Sequence, residues 1–311
     1  GGLLYLGSGL GLGVARLLRD RGWQTVSINT DEWRWLLLAI VFGGMLGPVL
    51  LMFGLQTTSG ATASLLLNLE AVLTAVLAWA VFHEHANRRT VLGMIAIVAG
   101  GVLLSLPGQD AQIADWTGPL AIASACLCWA IDNNLTRKVS SSDAMFIAST
   151  KGLVAGTVNC LIAAMLGIKL PSASITMATM SIGLLGYGAS LVLFVLALRG
   201  LGAARTGAYF STAPFIGAAL ALMMGEAVNF SFWWAGALMA LGVWLHLTEN
   251  HEHEHTHETM AHEHAHSHDE HHQHDHDFDW DGSEPHVHFH QHGPLTHKHP
   301  HFPDIHHQHR H

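Results

Sequence analysis

Two ionisable residues stand inside apolar stretches of this 311-residue chain. Glu70 interrupts LLLNLEAVLTAVLAWAVF, residues 65–82, and Lys151 interrupts DAMFIASTKGLVAGTVNCLIAAMLG, residues 143–167. At helical spacing Glu70 shares a face with Ala63, Leu66, Thr74 and Leu77, and Lys151 shares one with Ala148, Ala155 and Asn159. A charge at mid-bilayer costs at least ~2.5–3.5 kcal/mol, so it normally faces a bundle interior or a wet cavity. Both stripes contain small or polar residues and suit a cavity wall better than lipid. The two charges are expected to line one cavity, either pairing directly or holding opposite ends of a zwitterionic or amphipathic solute. The competing reading is a buried ion pair that only fixes helix packing.

Other polar residues are candidates for the same cavity. Asn68 lies two positions before Glu70. Asp132, Asn133 and Asn134 precede Arg137 and Lys138, which predicts pairing at the membrane interface, with Asp132 and Trp129 also able to reach a cytoplasmic vestibule. Tyr187 and Tyr209 offer hydroxyls or simple packing, and Pro48 and Pro214 can interrupt their helices and release carbonyls. Cys126, Cys128 and Cys160 form neither a disulfide framework nor a metal motif and read as small core residues.

These residues need helices long enough to cross a bilayer. Half the chain is hydrophobic and only 12% is charged, a membrane profile. Spans are predicted near 2–18, 36–53, 61–82, 90–106, 118–135, 144–167, 177–198, 206–224 and 230–247, each close to the ~17–25 residues that a hydrocarbon core requires. A large soluble helical protein would need long polar faces, which the short connections and apolar faces do not supply. Arg16, Arg19, Arg21 and Arg34 flank the first connection, Arg88 and Arg89 the third, Arg137 and Lys138 the fifth, and Arg199 and Arg205 the seventh. The even connections carry only Lys169, so the odd ones and the C-terminal tail are expected to be cytoplasmic. The chain opens inside a helix without Met or a basic leader, which reads as neither a signal peptide nor a natural start.

An internal repeat is visible. TTSGATASLLLNLEAVLTAVLAWAVFHEH, residues 57–85, and LGAARTGAYFSTAPFIGAALALMMGEA, residues 201–227, each run from a small-residue turn through a span to a Glu, Glu84 or Glu226. The charge rule puts these two on opposite sides, as inverted repeats require. The segments LLLNLEAVLTAVLAWAVFHEH, ALRGLGAARTGAYFSTAPF and ALMALGVWLHL resemble the EamA-type permeases of the drug/metabolite transporter superfamily. The resemblance implies an all-α polytopic membrane bundle of two inverted five-helix repeats, ten helices in the family and nine here, with one expected to be absent at the N-terminus. It implies repeat boundaries of 1–106 and 107–248 and a tail, 249–311. The family often carries Pro in the repeated span of both halves; Pro214 fits, whereas the first half has Glu70-Ala71.

The tail differs in kind. Residues 1–248 carry ten acids against twelve Lys and Arg, whereas 249–311 carry thirteen acids against Lys298 and Arg310. Its polarity predicts disorder. Of the 26 histidines, 23 lie beyond residue 250. His251, His253, His255, His257, His262, His264, His266, His268, His271, His272, His274 and His276 are candidate ligands for Zn, Ni or Cu. The literal H-E-x-x-H matches there, such as those at residues 251–255 and 262–266, are chance products of a low-complexity run.

Three function classes follow. The first is a secondary transporter of small metabolites or drugs in a bacterial-type inner membrane, working as an exporter by alternating access, with Glu70 as a proton-coupling group and no required cofactor. The second is a divalent-metal transporter or metal-regulated permease using the tail, weakened because no span holds a His/Asp cluster. An intramembrane enzyme is third, because no span pairs a nucleophile with a base. The expected partners are lipid, a small solute and divalent metals, with no nucleic acid.

Overall fold

The computed structural model describes residues 1–20, 30–82, 87–106, 116–140 and 142–248, together with four backbone segments of the tail. Apolar runs of bilayer length fold as helices, and among the described residues nine helical rods appear where nine spans were predicted. The first is α1 (Gly2–Arg19). α2 (Thr30–Ala39) continues through a π-helical turn, Ile40–Leu46, into α3 (Gly47–Gly54). α4 (Gly60–Leu66) and α5 (Leu69–Phe82) form one broken rod, followed by α6 (Arg88–Ser105), α7 (Thr117–Val139) and α8 (Ala144–Met165). α9 (Ala173–Ile182) continues through a second π turn, Gly183–Ala189, into α10 (Ser190–Phe210), which kinks at Gly202. α11 (Ala213–Met223) and α12 (Phe230–Leu247) complete the bundle.

Among the described residues six stretches are long and apolar enough to cross a membrane, one of them, Ala173–Met223, comprising two rods about the kink. At that kink Gly202 has φ 74°, a value costly for any residue with a Cβ. Large apolar side chains such as Leu92, Leu193, Ile216 and Trp233 are exposed on the outside of the bundle, as lipid contact requires. Inside, many alanines pack among larger side chains such as Leu36, Ile40, Ile97 and Ile147.

The repeat is far sharper in the structure than in the letters. α2, the first π turn and the start of α3 lie 143 positions before α9, the second π turn and the start of α10. The break after α4 likewise matches the break after α10. The contacts between halves are reciprocal. A Cβ on Gly152 would lie 2.6 Å from Gly9 N, and a Cβ on Gly9 would strike the backbone of Leu153. Ser64 donates to Pro214 O at 2.8 Å and fills the space beside Gly217, while Gly207 packs on Ala71 and Thr74. Ser64 and Gly207, Ala71 and Pro214, and Thr74 and Gly217 are each 143 positions apart, so every contact is matched by its counterpart. Gly93 and Gly242 also meet, each against the other's carbonyl, where α6 packs on α12. The two broken rods therefore run antiparallel through the middle of an inverted repeat. By contrast Gly13, one turn after Gly9, has nothing near its Cβ position.

Residues 250–302 form a second compact unit. Within it β1 (Glu252–His257) pairs antiparallel with β4 (Leu295–Pro300), and β2 (Met260–His266) with β3 (His286–His292). The His-x-His alternation that read as low complexity also has the period of two that a pleated ladder requires.

Candidate functional site

The breaks explain the residue types found at them. After Leu66 the helix stops, Leu67 and Asn68 turn, and α5 begins at Leu69, so Glu70 sits in the first turn of a new helix. Unpaired N–H groups there form the positive end of the helix dipole, which favours a carboxylate. Pro214, the counterpart of Ala71, lies in the first turn of α11, where proline's missing N–H and fixed φ cost nothing. Glu70-Ala71 and Ala213-Pro214 are thus two chemical solutions to one backbone event. The breaks also exchange a cap. Glu226, beyond α11, accepts from Gly60 N at 3.1 Å and Ala61 N at 2.7 Å, closing the start of α4. Glu84, its counterpart in the sequence repeat, lies outside the described residues.

Around the first break a polar cluster forms against α7. Asn133 Nδ2 donates to Glu70 Oε1 at 2.9 Å and to Thr74 Oγ1 at 3.2 Å. Asn134 Nδ2 donates to Thr74 O at 3.2 Å and Ala130 O at 2.9 Å. Asn68 is fully buried, with Nδ2 donating to Leu65 O at 3.0 Å. Cys126 Sγ lies 3.8 Å from Leu66 O, at the same break.

Glu70 and Lys151 do not pair. Lys151 Nζ donates to Asp132 Oδ1 at 2.5 Å and to Thr136 Oγ1 at 3.0 Å, and Thr136 in turn donates to Asp132 Oδ1 at 2.8 Å. The interfacial placement of Asp132 with Arg137 and Lys138 is therefore corrected. α7 runs on to Val139, one turn beyond the predicted span, which carries Asp132, Asn133 and Asn134 into the buried part of the helix.

The first π turn brings the remaining members in. A π turn leaves carbonyls without their usual partners. Gly43 O accepts from Trp129 Nε1 at 3.0 Å and Tyr5 OH at 3.2 Å, and Gly44 O accepts from Asn159 Nδ2 at 2.7 Å. Gly43 must lack a Cβ because the Asp132 carboxyl occupies that space, and a Cβ on Gly44 would meet Ala155. The sequence candidates Glu70, Asn68, Thr74, Trp129, Asp132, Lys151 and Asn159 thus lie in one belt across α5, α7, the π turn and α8. Tyr187 and Tyr209 do not join it. Both are largely exposed, Tyr187 packing edge-on against Tyr5 at 5.1 Å between ring centroids. Pro214 enters only through the carbonyl that accepts from Ser64. Sequence reading passed over Tyr5, Thr136 and Ser64, which carry no charge; Thr136, one turn after Asp132, was the most legible of them.

At the basic end of α1 a second network ties the bundle together. Asp143 accepts from Arg16 Nε at 3.1 Å and Arg19 Nη2 at 2.6 Å while capping Met145 N and Phe146 N at the start of α8. Arg199 donates to Ser140 O and Ser142 O, each at 2.8 Å. Burial pushes the Asp143 carboxyl up, but the hydrogen bonds from Arg19, Arg16 and the two backbone N–H groups outweigh it and hold the carboxyl below its ordinary value.

Of the tail histidines, 253, 255, 257, 262, 264 and 266 fall in strands, whereas 251, 268, 271, 272, 274 and 276 lie outside the described residues. Among the described residues no group of three metal-ligating side chains occurs.

The EamA-like transporter family model matches residues 3–106 and again 116–248. An uncharacterized transporter of Methanothermobacter thermautotrophicus strain Delta H is 28% identical over 239 residues, covering 75% of this chain and 69% of that protein. The uncharacterized transporter YyaM of Bacillus subtilis strain 168 is 24% identical over 240 residues, covering 73% and 77%. A solved crystal structure superposes with a TM-score of 0.60 at 19% identity, over 78% of this chain and 85% of that one, and so shares the fold.

Proposed function

Because this chain belongs to the EamA-like transporter family, we propose that it exports a small organic solute across the cell membrane by alternating access between its two inverted halves, with Glu70 as the group that exchanges solute for a proton. One observation carries this reading: two broken helices meet antiparallel at mid-bundle, and a carboxylate stands in the first turn beyond one break. Reciprocal packing of matched segments lets the halves exchange conformations, because each contact has an equivalent to form on the other side. Interrupted helices supply the polar backbone that a solute or ion needs inside lipid. The groups around Glu70 are Asn133 and Thr74, with the Asp132–Lys151 pair beyond them on α7 and α8 and Tyr5 on α1.

The test compares the small molecules retained and exported by cells with and without the full-length chain. A solute whose export depends on the chain, and whose flux falls at least ~tenfold in Glu70→Gln, supports the reading. Identical profiles from both cell lines overturn it.

A further inference from the structure

The charge balance of the polar belt points to what Glu70 receives. Lys151 is committed to Asp132, with Thr136 bridging them, so these two charges cancel. Glu70 has a neutral amide, Asn133, as its hydrogen-bond partner and no cation among the described residues. When Glu70 is ionised, one negative charge is left over inside the bundle, and an isolated charge in a low-dielectric setting either takes up a proton or requires a counter-charge.

A second, independent observation gives the same sign. Two buried polar atoms of this belt have no partner among the described residues, Asn68 Oδ1 and Asn134 Oδ1, and both are acceptors. Asn68 is 0% exposed and Asn134 3%. Their amide orientations are fixed, since each Nδ2 already donates to backbone carbonyls, Leu65 O for Asn68 and Thr74 O and Ala130 O for Asn134; turning either amide would set oxygen against oxygen. The belt therefore has surplus acceptors as well as surplus negative charge. A buried acceptor left unmade costs free energy, and a group with several N–H donors and one positive charge is the chemistry that satisfies both deficits.

We infer that the solute handled at Glu70 carries a protonated amine, and that Lys151 is not a receptor for an anionic end. This rests on the transport reading above and narrows it. A zwitterion gripped at both ends, as the sequence alone allowed, would require Lys151 to leave Asp132 and strand a buried carboxylate.

The experiment uses the purified full-length protein in detergent and a panel of primary amines, methylamine to phenethylamine, each beside its neutral alcohol and its carboxylate analogue, with intrinsic tryptophan fluorescence and thermal shift as readouts. Saturable binding is expected for amines over alcohols and carboxylates, weakened at least ~tenfold by Glu70→Gln. Gly13→Ala, which lies outside the belt with open space at its Cβ position, should keep amine binding within about threefold of the parent. Glu70→Asp, which keeps the charge, should bind amines more tightly than Glu70→Gln and keeps the test decisive if Glu70→Gln proves unstable. The inference is overturned if no amine binds in a Glu70-dependent manner, if alcohols or carboxylates bind as well as amines, or if Glu70→Asp binds amines no better than Glu70→Gln. Chain-dependent export of a neutral or anionic solute would sink it while leaving the transport reading intact.

Discussion

Lys151 Nζ lies 2.5 Å from Asp132 Oδ1, joining α7 to α8 inside the bundle. Both side chains are almost wholly buried, at 6% and 11% exposure, so removing one partner strands the other. Lys151→Met and Asp132→Asn are each expected to cost ~3–5 kcal/mol, whereas the double variant should recover most of that loss. Denaturant unfolding in detergent measures all three. Additive losses would mean that the two residues act separately.

The crossing of α1 and α8 gives a prediction with its own control. A Cβ on Gly9 or Gly152 meets the partner helix's backbone, which cannot yield as a flexible side chain does. Gly9→Ala and Gly152→Ala should each destabilise by ~1–3 kcal/mol. Gly13→Ala, one helical turn along the same helix and with open space around it, should be neutral or slightly stabilising. Melting temperatures of the three variants decide this, and equal effects at Gly9 and Gly13 would contradict the crossing.

Much of this arrangement was legible in the sequence, for identifiable reasons. Span positions follow from length and hydropathy, and the rods fall where those rules put them. Glu70 and Lys151 stood out because charge is costly in lipid. Their partners did not, because pairing depends on how α5, α7 and α8 rotate against one another, and helical spacing reports only neighbours within one helix. Asp132 was misplaced because Arg137 and Lys138 resemble a span end, although the long stems of such residues let a helix continue past the point where their charge reaches water. The π turns were invisible, since one extra residue per turn leaves an apolar run apolar. Only comparison of the halves, with both π turns 143 positions apart, shows that they belong to the fold's design.

The cap that Glu226 places on α4 predicts a graded loss. It satisfies two N–H groups with two carboxylate oxygens, so Glu226→Ala should cost ~1–2 kcal/mol. Glu226→Gln keeps one acceptor and should fall between the parent and Ala. Unfolding midpoints in detergent would reveal this order, and a silent Ala variant would show that water closes the helix as well.

Asp143 predicts an acid-sensitive link. Its carboxyl is held below the ordinary value of 3.8 despite burial, by Arg19 and Arg16. A depressed folded value means that the ionised form stabilises the fold at pH above 3.8, and that this contribution fades as pH falls through 3.8 and then through the folded value. Asp143→Asn should therefore be less stable than the parent near neutral pH, and the difference should close in acid. Thermal melts of both proteins across that range test it, and a difference that stays constant with pH would place the cost in the helix cap instead of the ion pair.

The tail offers a last prediction that separates order from composition. In the β2–β3 ladder His262 stands opposite His290, His264 opposite His288 and His266 opposite His286. Cross-strand partners are neighbours along an antiparallel ladder, and histidine is a common ligand for Zn²⁺ and Ni²⁺. Replacing His262, His264 and His266 by Ala should then lower the affinity of the full-length protein for Ni²⁺ or Zn²⁺ at least ~tenfold. Replacing His271, His272 and His274 removes as many histidines and should change it little. Isothermal titration with each metal distinguishes the two. Equal losses would show that the number of histidines, and not their register, sets the affinity, and unchanged solute export by both variants would place metal binding apart from transport.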